Sequence, residues 1–250
     1  MNLEFCKRLR AGETLYGTIA TLSTTASMHV ISRTGFDWIF IDAEHAPLEL
    51  GDLERMIATA GDVPCLVRLP CQDDIWIKRA LDLGASGIIV PQVNSAEQAA
   101  AVVRSARFSP VGARGIGLCR ANKYGYGISD YLNEANDGIA VVVQAEHADA
   151  VANVEDIAAV EGVDCVFVGP NDLSASLGLI GQLDHPVVND AIHKVRDVCK
   201  RRGKTLGYFS ADVEAAKRRM DEGFSLIACG ADVVQLAQAE TALLAALKES

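Results

Sequence analysis

Acidic, basic and imidazole side chains stand where short apolar runs of this chain stop, and their types suit the chemistry of a carbonyl group. One run ends in Asp42, Ala43, Glu44 and His45, and another in Arg68. A third ends in Gln144, Ala145, Glu146 and His147, and a fourth in Gly169, Pro170, Asn171 and Asp172. Glu146 and Asp172 offer oxygen ligands to a hard divalent cation, and two carboxylates leave most of an octahedral shell open. A 2-oxo acid could enter that shell through its keto and carboxylate oxygens, and its neighbouring C–H would become acidic. Arg68 is a fixed cation able to donate to the oxygen on which enolate charge develops. Histidine moves protons readily near neutral pH, which makes His45 the candidate general base.

Strand alternation points Asp42 and Glu44 the same way, so either could orient the His45 imidazole if the chain turns after Glu44. The stretch from Gly169 to Ser174 reads as a tight turn opening a short helix over 173–177. The amides of Asn171 and Asp172 at such a start could hold a substrate carboxylate. Each residue also has a plainer reading: a rim salt bridge for Arg68, solvated acids for Glu146 and Asp172, a capped helix for the turn. His147 directly follows a proposed ligand and should face away from it. No lysine ends a strand, and Lys204 precedes one at the wrong end, so an imine-forming mechanism lacks its nucleophile.

The elements that must position these groups alternate along the whole chain. Apolar, β-branched runs cover 15–22, 38–44, 65–69, 87–93, 139–146, 163–168, 205–209 and 225–229. Amphipathic stretches over 50–60, 74–83, 96–106, 150–159, 187–202 and 213–222 separate most of them, and 233–248 forms a last helix. Strands this apolar, each followed by a helix, imply a parallel sheet covered on both faces. Eight units, with no Gly-rich turn after the first strand, favour a single-domain (β/α)8 TIM barrel over 1–250 rather than an open sheet. Functional groups of such a barrel gather at the C-terminal ends of the strands. The one long interruption, 108–137, falls at the opposite face and is long enough to be functional or an oligomer contact.

Composition narrows the function classes. A net charge of −10 without any basic run argues against a nucleic-acid partner. No apolar stretch is long enough for a membrane span or a signal peptide, which places the chain in the cytoplasm. The seven cysteines are widely spaced with no CxxC pair, so neither a disulfide framework nor a zinc cluster is indicated.

Several long, ordered motifs make the chain resemble the HpcH/HpaI family of class II, metal-dependent pyruvate aldolases over almost its whole length. They are 36–47 (FDWIFIDAEHAP), 67–70 (VRLP), 77–85 (IKRALDLGA), 90–93 (VPQV) and 162–176 (GVDCVFVGPNDLSAS). The resemblance implies reversible cleavage of a 4-hydroxy-2-oxo acid into pyruvate or hydroxypyruvate and an aldehyde, with Mg²⁺, Mn²⁺ or Co²⁺ as cofactor. It implies Glu146 and Asp172 as metal ligands, Arg68 as enolate stabiliser and His45 as acid/base with Asp42 nearby. Gln144 would lie close to the metal shell, and Gly169, Asn171 and Asp172 would hold the substrate carboxylate. Asp82 matches a family aspartate that pairs with the catalytic histidine. Asp82 ends a helix at the far end of its own barrel, so it could reach only the His45 of another subunit. A hexamer built as a trimer of dimers, with a C-terminal helix that can be exchanged between subunits, is implied as well. The chain departs from the family at Gln144-Ala-Glu-His147, where Ile usually precedes and Thr follows the glutamate, and at 19–22, where a tryptophan is often found. The same residues would also serve oxaloacetate decarboxylation, or a barrel that binds a 2-oxo acid without turning it over.

Overall fold

Apolar runs of four to six residues, buried on both faces, must satisfy their backbone groups by pairing with equally apolar neighbours. In the computed structural model, which describes residues 1–248, eight such runs do so. Residues 249 and 250, the end of the expected 1–250 domain, lie outside the described residues. The strands are β1 (Leu15–Ala20), β2 (Trp38–Asp42), β3 (Cys65–Arg68), β4 (Gly87–Val90), β5 (Ala140–Ala145), β6 (Cys165–Val168), β7 (Thr205–Ser210) and β8 (Leu226–Ala231). They are parallel and close into a barrel in chain order, with β8 returning to β1. This is the expected (β/α)8 architecture.

Helices α1 (Leu3–Arg10), α2 (Thr25–Ile31), α3 (Leu50–Ala60), α4 (Asp74–Asp82), α5 (Ala96–Ala106) and α6 (Ile128–Gly138) belong to the first half of the chain. The second half carries α7 (Ala148–Ala152), α8 (Val154–Ala159), α9 (Pro170–Ser176), α10 (Pro186–Arg202), α11 (Val213–Asp221) and α12 (Asp232–Lys248). The helix expected over 150–159 is two, because the chain turns at Asn153, whose amide donates to the Asn94 carbonyl at 2.8 Å. The interruption over 108–137 is not an open loop. It holds a 3-10 turn (Arg120–Gly125) and α6, which packs on α1. Among the described residues no helix is long and apolar enough to cross a membrane.

Several expected strands continued past where the structure ends them, most clearly at β2 and β4. Asp42 shows why: its Oδ1 accepts from the amides of Glu44 (3.1 Å) and His45 (3.3 Å), pulling the backbone off the ladder into a turn.

Two apolar layers form. Helices pack on the outside of the sheet, while Leu15, Ile19, Trp38, Phe40, Leu66, Val142, Phe167 and Leu226 belong to the cluster that fills the inside. Helix α1 closes the bottom of that inner cluster with Phe5, Cys6 and Leu9, anchored where Thr205 Oγ1 donates to the Leu9 carbonyl at 2.6 Å. Glycine makes room for the inner aromatics: a Cβ on Gly207 would collide with the Phe167 ring and one on Gly17 with Trp38. We therefore expect Gly207→Ala to cost about 1–3 kcal/mol by forcing Phe167 from its place. Urea unfolding of the variant beside the parent protein measures this, and equal midpoints would refute it.

Candidate active site

The register of the barrel puts Asp42 directly beside Arg68 on neighbouring strands. There Arg68 donates from Nε to Asp42 Oδ1 (2.9 Å) and from Nη2 to Oδ2 (2.8 Å), a two-pronged pair. Glu44 Oε2 lies 3.3 Å from the same Nε, and the guanidinium sits over the Phe40 ring, 5.1 Å from its centroid. Burial alone would raise the Asp42 carboxyl, but the Arg68 hydrogen bonds and charge outweigh it and hold it below its ordinary value. Glu44 is raised, because burial exceeds the relief that Arg68 gives.

His45 stands at the rim with its Nε2 3.5 Å from Glu44 Oε2. Of the two acids that flank this imidazole, Glu44 is the one beside it. Asp42 faces Arg68 and reaches His45 only through the backbone amide. Alternation along the strand had left both open; the turn after Asp42 decides between them.

Across the barrel, Glu146 directly follows β5 and is 1% exposed. Its Oε1 accepts from the Gln92 amide at 2.8 Å, and its Oε2 accepts a very short hydrogen bond from Gln144 Nε2. Gln92 has φ +55°, an uncommon conformation for a non-glycine residue, which turns its N–H inward. Gln72 Nε2 donates to the carbonyls of Pro91 (3.1 Å) and Gln92 (2.6 Å) and pins that turn. Gly169 is required beneath: a Cβ there would stand 2.8 Å from Glu146 Oε2 and 3.3 Å from Gln144 Nε2. Burial pushes the Glu146 carboxyl up to about 7; the Gln92 N–H opposes this, while Glu44 and Asp172 add like-charge repulsion and Arg68 relieves it.

Helix α9 opens at Pro170, earlier than the expected 173, since proline is pre-shaped for the first helical position and has no N–H to lose. Asn171 and Asp172 thereby fall in its first turn, where amides lack intrahelical acceptors. A cavity of about 360 Å³ at this rim is lined by Asp42, His45, Arg68, Gln144, Asn171 and Asp172, with Phe40 and Phe167 among its apolar walls. Gly169 lines it too, and Glu146 lies directly behind Gly169 and Gln144.

Asp82 and His147 do not line this cavity. Asp82, at the end of α4, receives a 2.7 Å hydrogen bond from the buried Arg114 and does not line the cavity of its own barrel. His147 faces away, its Nδ1 accepting from the Asp149 amide as the cap of α7. Sequence reasoning passed over Gln92 as a support for Glu146, although it sits in the 90–93 motif. It also passed over Thr21, Phe209 and Ala231, whose small or apolar side chains give no chemical signal.

A larger open cleft of about 760 Å³ at the opposite end is lined by Arg10, Arg107, Lys204 and Asp164. Its basic side chains are committed to Asp164 and to backbone carbonyls. Asp164 takes Arg10 (2.7 Å) and Arg107 (3.0 Å), and Lys204 donates to the Val160 and Val163 carbonyls.

The donor set at the rim fits a divalent cation. Among the described residues no three His, Cys, Asp or Glu side chains group as a ready metal cage. Glu146 and Asp172 would leave the remaining positions to substrate and water. The buried Gln144 Oε1 has no hydrogen-bond partner, and the Glu146 carboxyl is strained toward its neutral form by its own surroundings.

Residues 16–239 match the family model described as HpcH/HpaI aldolase/citrate lyase. The chain is 41% identical over 244 residues to a 4-hydroxy-2-oxovalerate aldolase of Rhodococcus jostii (strain RHA1), covering 96% of this chain and 94% of that protein. It is 39% identical over 236 residues to a hydroxypyruvate/pyruvate aldolase of Pseudomonas aeruginosa, covering 91% and 86%. Among solved structures, an HpcH/HpaI aldolase/citrate lyase family protein from Burkholderia cenocepacia J2315 superposes with a TM-score of 0.94 at 37% identity, covering 99% of this chain and 100% of that one.

The raised Glu146 carboxyl has a thermodynamic signature. Its folded-state value near 7 lies above the ordinary 4.5, so its contribution to stability is full at low pH and is lost as pH rises through 7 in metal-free protein. Glu146→Gln, which cannot ionise, should melt roughly 5 °C above the parent at pH 8 in EDTA, with the gap closing below about pH 4.5. Added Mn²⁺ should raise the parent's melting temperature and leave the variant's unchanged; equal responses would contradict the cation fit.

Proposed function

The chain belongs to the HpcH/HpaI aldolase/citrate lyase family, and on that premise we propose that it is a carbon–carbon lyase. It reversibly cleaves a 4-hydroxy-2-oxo acid to pyruvate, or hydroxypyruvate, and an aldehyde. The observation that carries this reading is the convergence of His45, Arg68 and Asp172 on one rim cavity with the buried Glu146 behind it.

Glu146 and Asp172 would hold Mg²⁺, Mn²⁺ or Co²⁺ with Gln144 beside it, and such a cation supplies Lewis-acid polarisation of the substrate's keto group. The chain's own residues do the rest. The amides of Asn171 and Asp172 at the start of α9 receive the substrate carboxylate, which Gly169 leaves room to approach. Asp42 fixes Arg68 through two of its five N–H donors, and the others remain for the oxygen that gains charge as the C3–C4 bond breaks. His45 takes the proton of the C4 hydroxyl, directly or through water, while Glu44 beside Nε2 orients the ring. In the reverse direction the same imidazole returns the proton to the new alcohol.

The protein works as a homo-oligomer, a trimer of dimers, in the cytoplasm. The state of α12 supports assembly: of its described residues only Asp232 is buried, and Leu236, Leu243 and Leu244 are all more than half exposed. A helix with that much unburied leucine gains by packing on, or exchanging with, a second copy. Asp82, remote from its own cavity, then meets the His45 of a neighbouring subunit. The seven free cysteines, Cys71 among them exposed, support a reducing compartment.

EDTA, Glu146→Ala and Asp172→Ala should each abolish aldol cleavage and the exchange of pyruvate methyl protons into D2O followed by NMR. Arg68→Ala should lower kcat about 10²–10³-fold. Parent-like rates of the two carboxylate variants after chelation would end this reading. Deleting residues 233–250 should shift the sedimentation coefficient to a smaller species, and an unchanged assembly would remove α12 from the interface.

A further inference from the structure

The cavity has a side that handling of the 2-oxo acid leaves unused. Ile19 and Thr21 at the end of β1, Phe209 of β7 and Ala231 of β8 line it. These strands are neighbours in the barrel; β7 adjoins β6, which leads into α9, and β5, whose end carries Gln144 and Glu146, is not a neighbour of any of the three. Ile19, Phe209 and Ala231 present only carbon. Thr21 is the polar side chain of this wall, and its hydroxyl proton is already spent: Oγ1 donates to Asp232 Oδ1 at 2.8 Å. That Oδ1 also accepts from the amides of Thr21 (2.9 Å) and Val233 (2.8 Å). Asp232 Oδ2 accepts from the Leu22 amide and from Ser27 Oγ, each at 3.1 Å. The aspartate is 8% exposed and begins α12, one residue after Ala231.

A threonine hydroxyl carries a single hydrogen, so Thr21 can turn only lone pairs toward a ligand. The wall therefore has no hydrogen-bond donor and no cation among its side chains. The side-chain donors that do line the cavity, His45, Arg68, Gln144 and Asn171, stand at the ends of β2, β3, β5 and β6, where the proposed reaction takes place, and Gln144 Nε2 is already bonded to Glu146. A carboxylate pressed against this wall would lose water with nothing in return. An alkyl chain meets carbon there, and a hydroxyl can donate to Thr21 Oγ1.

Resting on the aldolase reading of the same cavity, we infer that this wall is the acceptor subsite, that it takes a short uncharged aldehyde in preference to one ending in a carboxylate, and that Asp232 is the positioning residue behind that choice. Asp232 holds the end of β1 to the start of α12, which fixes Thr21 beside Ala231, and it keeps the Thr21 hydroxyl turned as an acceptor.

Butanal and succinic semialdehyde, matched in chain length, test the charge preference with pyruvate as donor. The parent protein should favour butanal by at least about 10-fold in kcat/KM. Asp232→Asn places a donor among donors and releases the Thr21 hydroxyl. It should raise the KM for butanal at least about 5-fold while pyruvate methyl exchange stays within about 2-fold, a split that loss of fold alone does not produce. Thr21→Val gives a second line should that variant fold poorly: it should lower kcat/KM for glycolaldehyde at least about 5-fold relative to butanal. Preference for succinic semialdehyde, or a parallel fall of exchange and addition in Asp232→Asn, overturns the inference. Exchange without addition to any aldehyde overturns it and leaves enolisation standing; no exchange in the parent protein removes the aldolase reading as well.

Discussion

A carboxylate sealed from water at the end of a barrel strand is the constraint around which this rim is arranged. Glu146 is 1% exposed and carries like-charged neighbours, a combination that pushes it toward its neutral form. Only local structure makes its position tolerable. The Gln92 amide is turned inward by a left-handed backbone, the Gln144 amide closes on the other oxygen, and Gly169 yields the space a side chain would take. None of these supports is itself reactive. Each serves to keep an acid where a cation would be welcome.

The opposite side of the rim solves a different electrical problem. Arg68 is an immobile cation, and Asp42 neutralises it along one edge by a pairing that the strand register imposes. Glu44 and His45 follow in the turn that Asp42 itself caps, so one carboxylate both fixes the arginine and shapes the loop carrying the imidazole. Such economy makes Asp42 hard to replace, although it need not touch a substrate. Mutating it would disturb Arg68, Glu44 and His45 together, and a single-residue role could not be read from the loss.

At the other end of the barrel the charges cancel. Arg10, Arg107 and Lys204 are consumed by Asp164 and by backbone carbonyls, and α1 and α6 cover the bottom. Cavity size alone would point to that end. Commitment of the polar groups is the better guide, because a cleft whose donors and acceptors are paired has little left to offer a ligand.

Much of this was legible along the chain. Runs apolar on both faces, alternating with amphipathic stretches, dictate a parallel barrel, and a parallel barrel dictates which strand ends carry the polar residues. That reasoning reached His45, Arg68, Glu146 and Asp172 because charged residues at the ends of buried strands stand out against valine and isoleucine. It could not choose between Asp42 and Glu44 as the neighbour of His45, since alternation treats them alike and only the turn separates them. It passed over Gln92, whose contribution is a backbone N–H, and Asp232, whose five hydrogen bonds come from a segment about 210 residues away as well as from next door. Side-chain chemistry and periodicity are local properties and can be read in order. Hydrogen bonds between distant segments, backbone direction at a single residue and the space left by a glycine exist only once the barrel has closed.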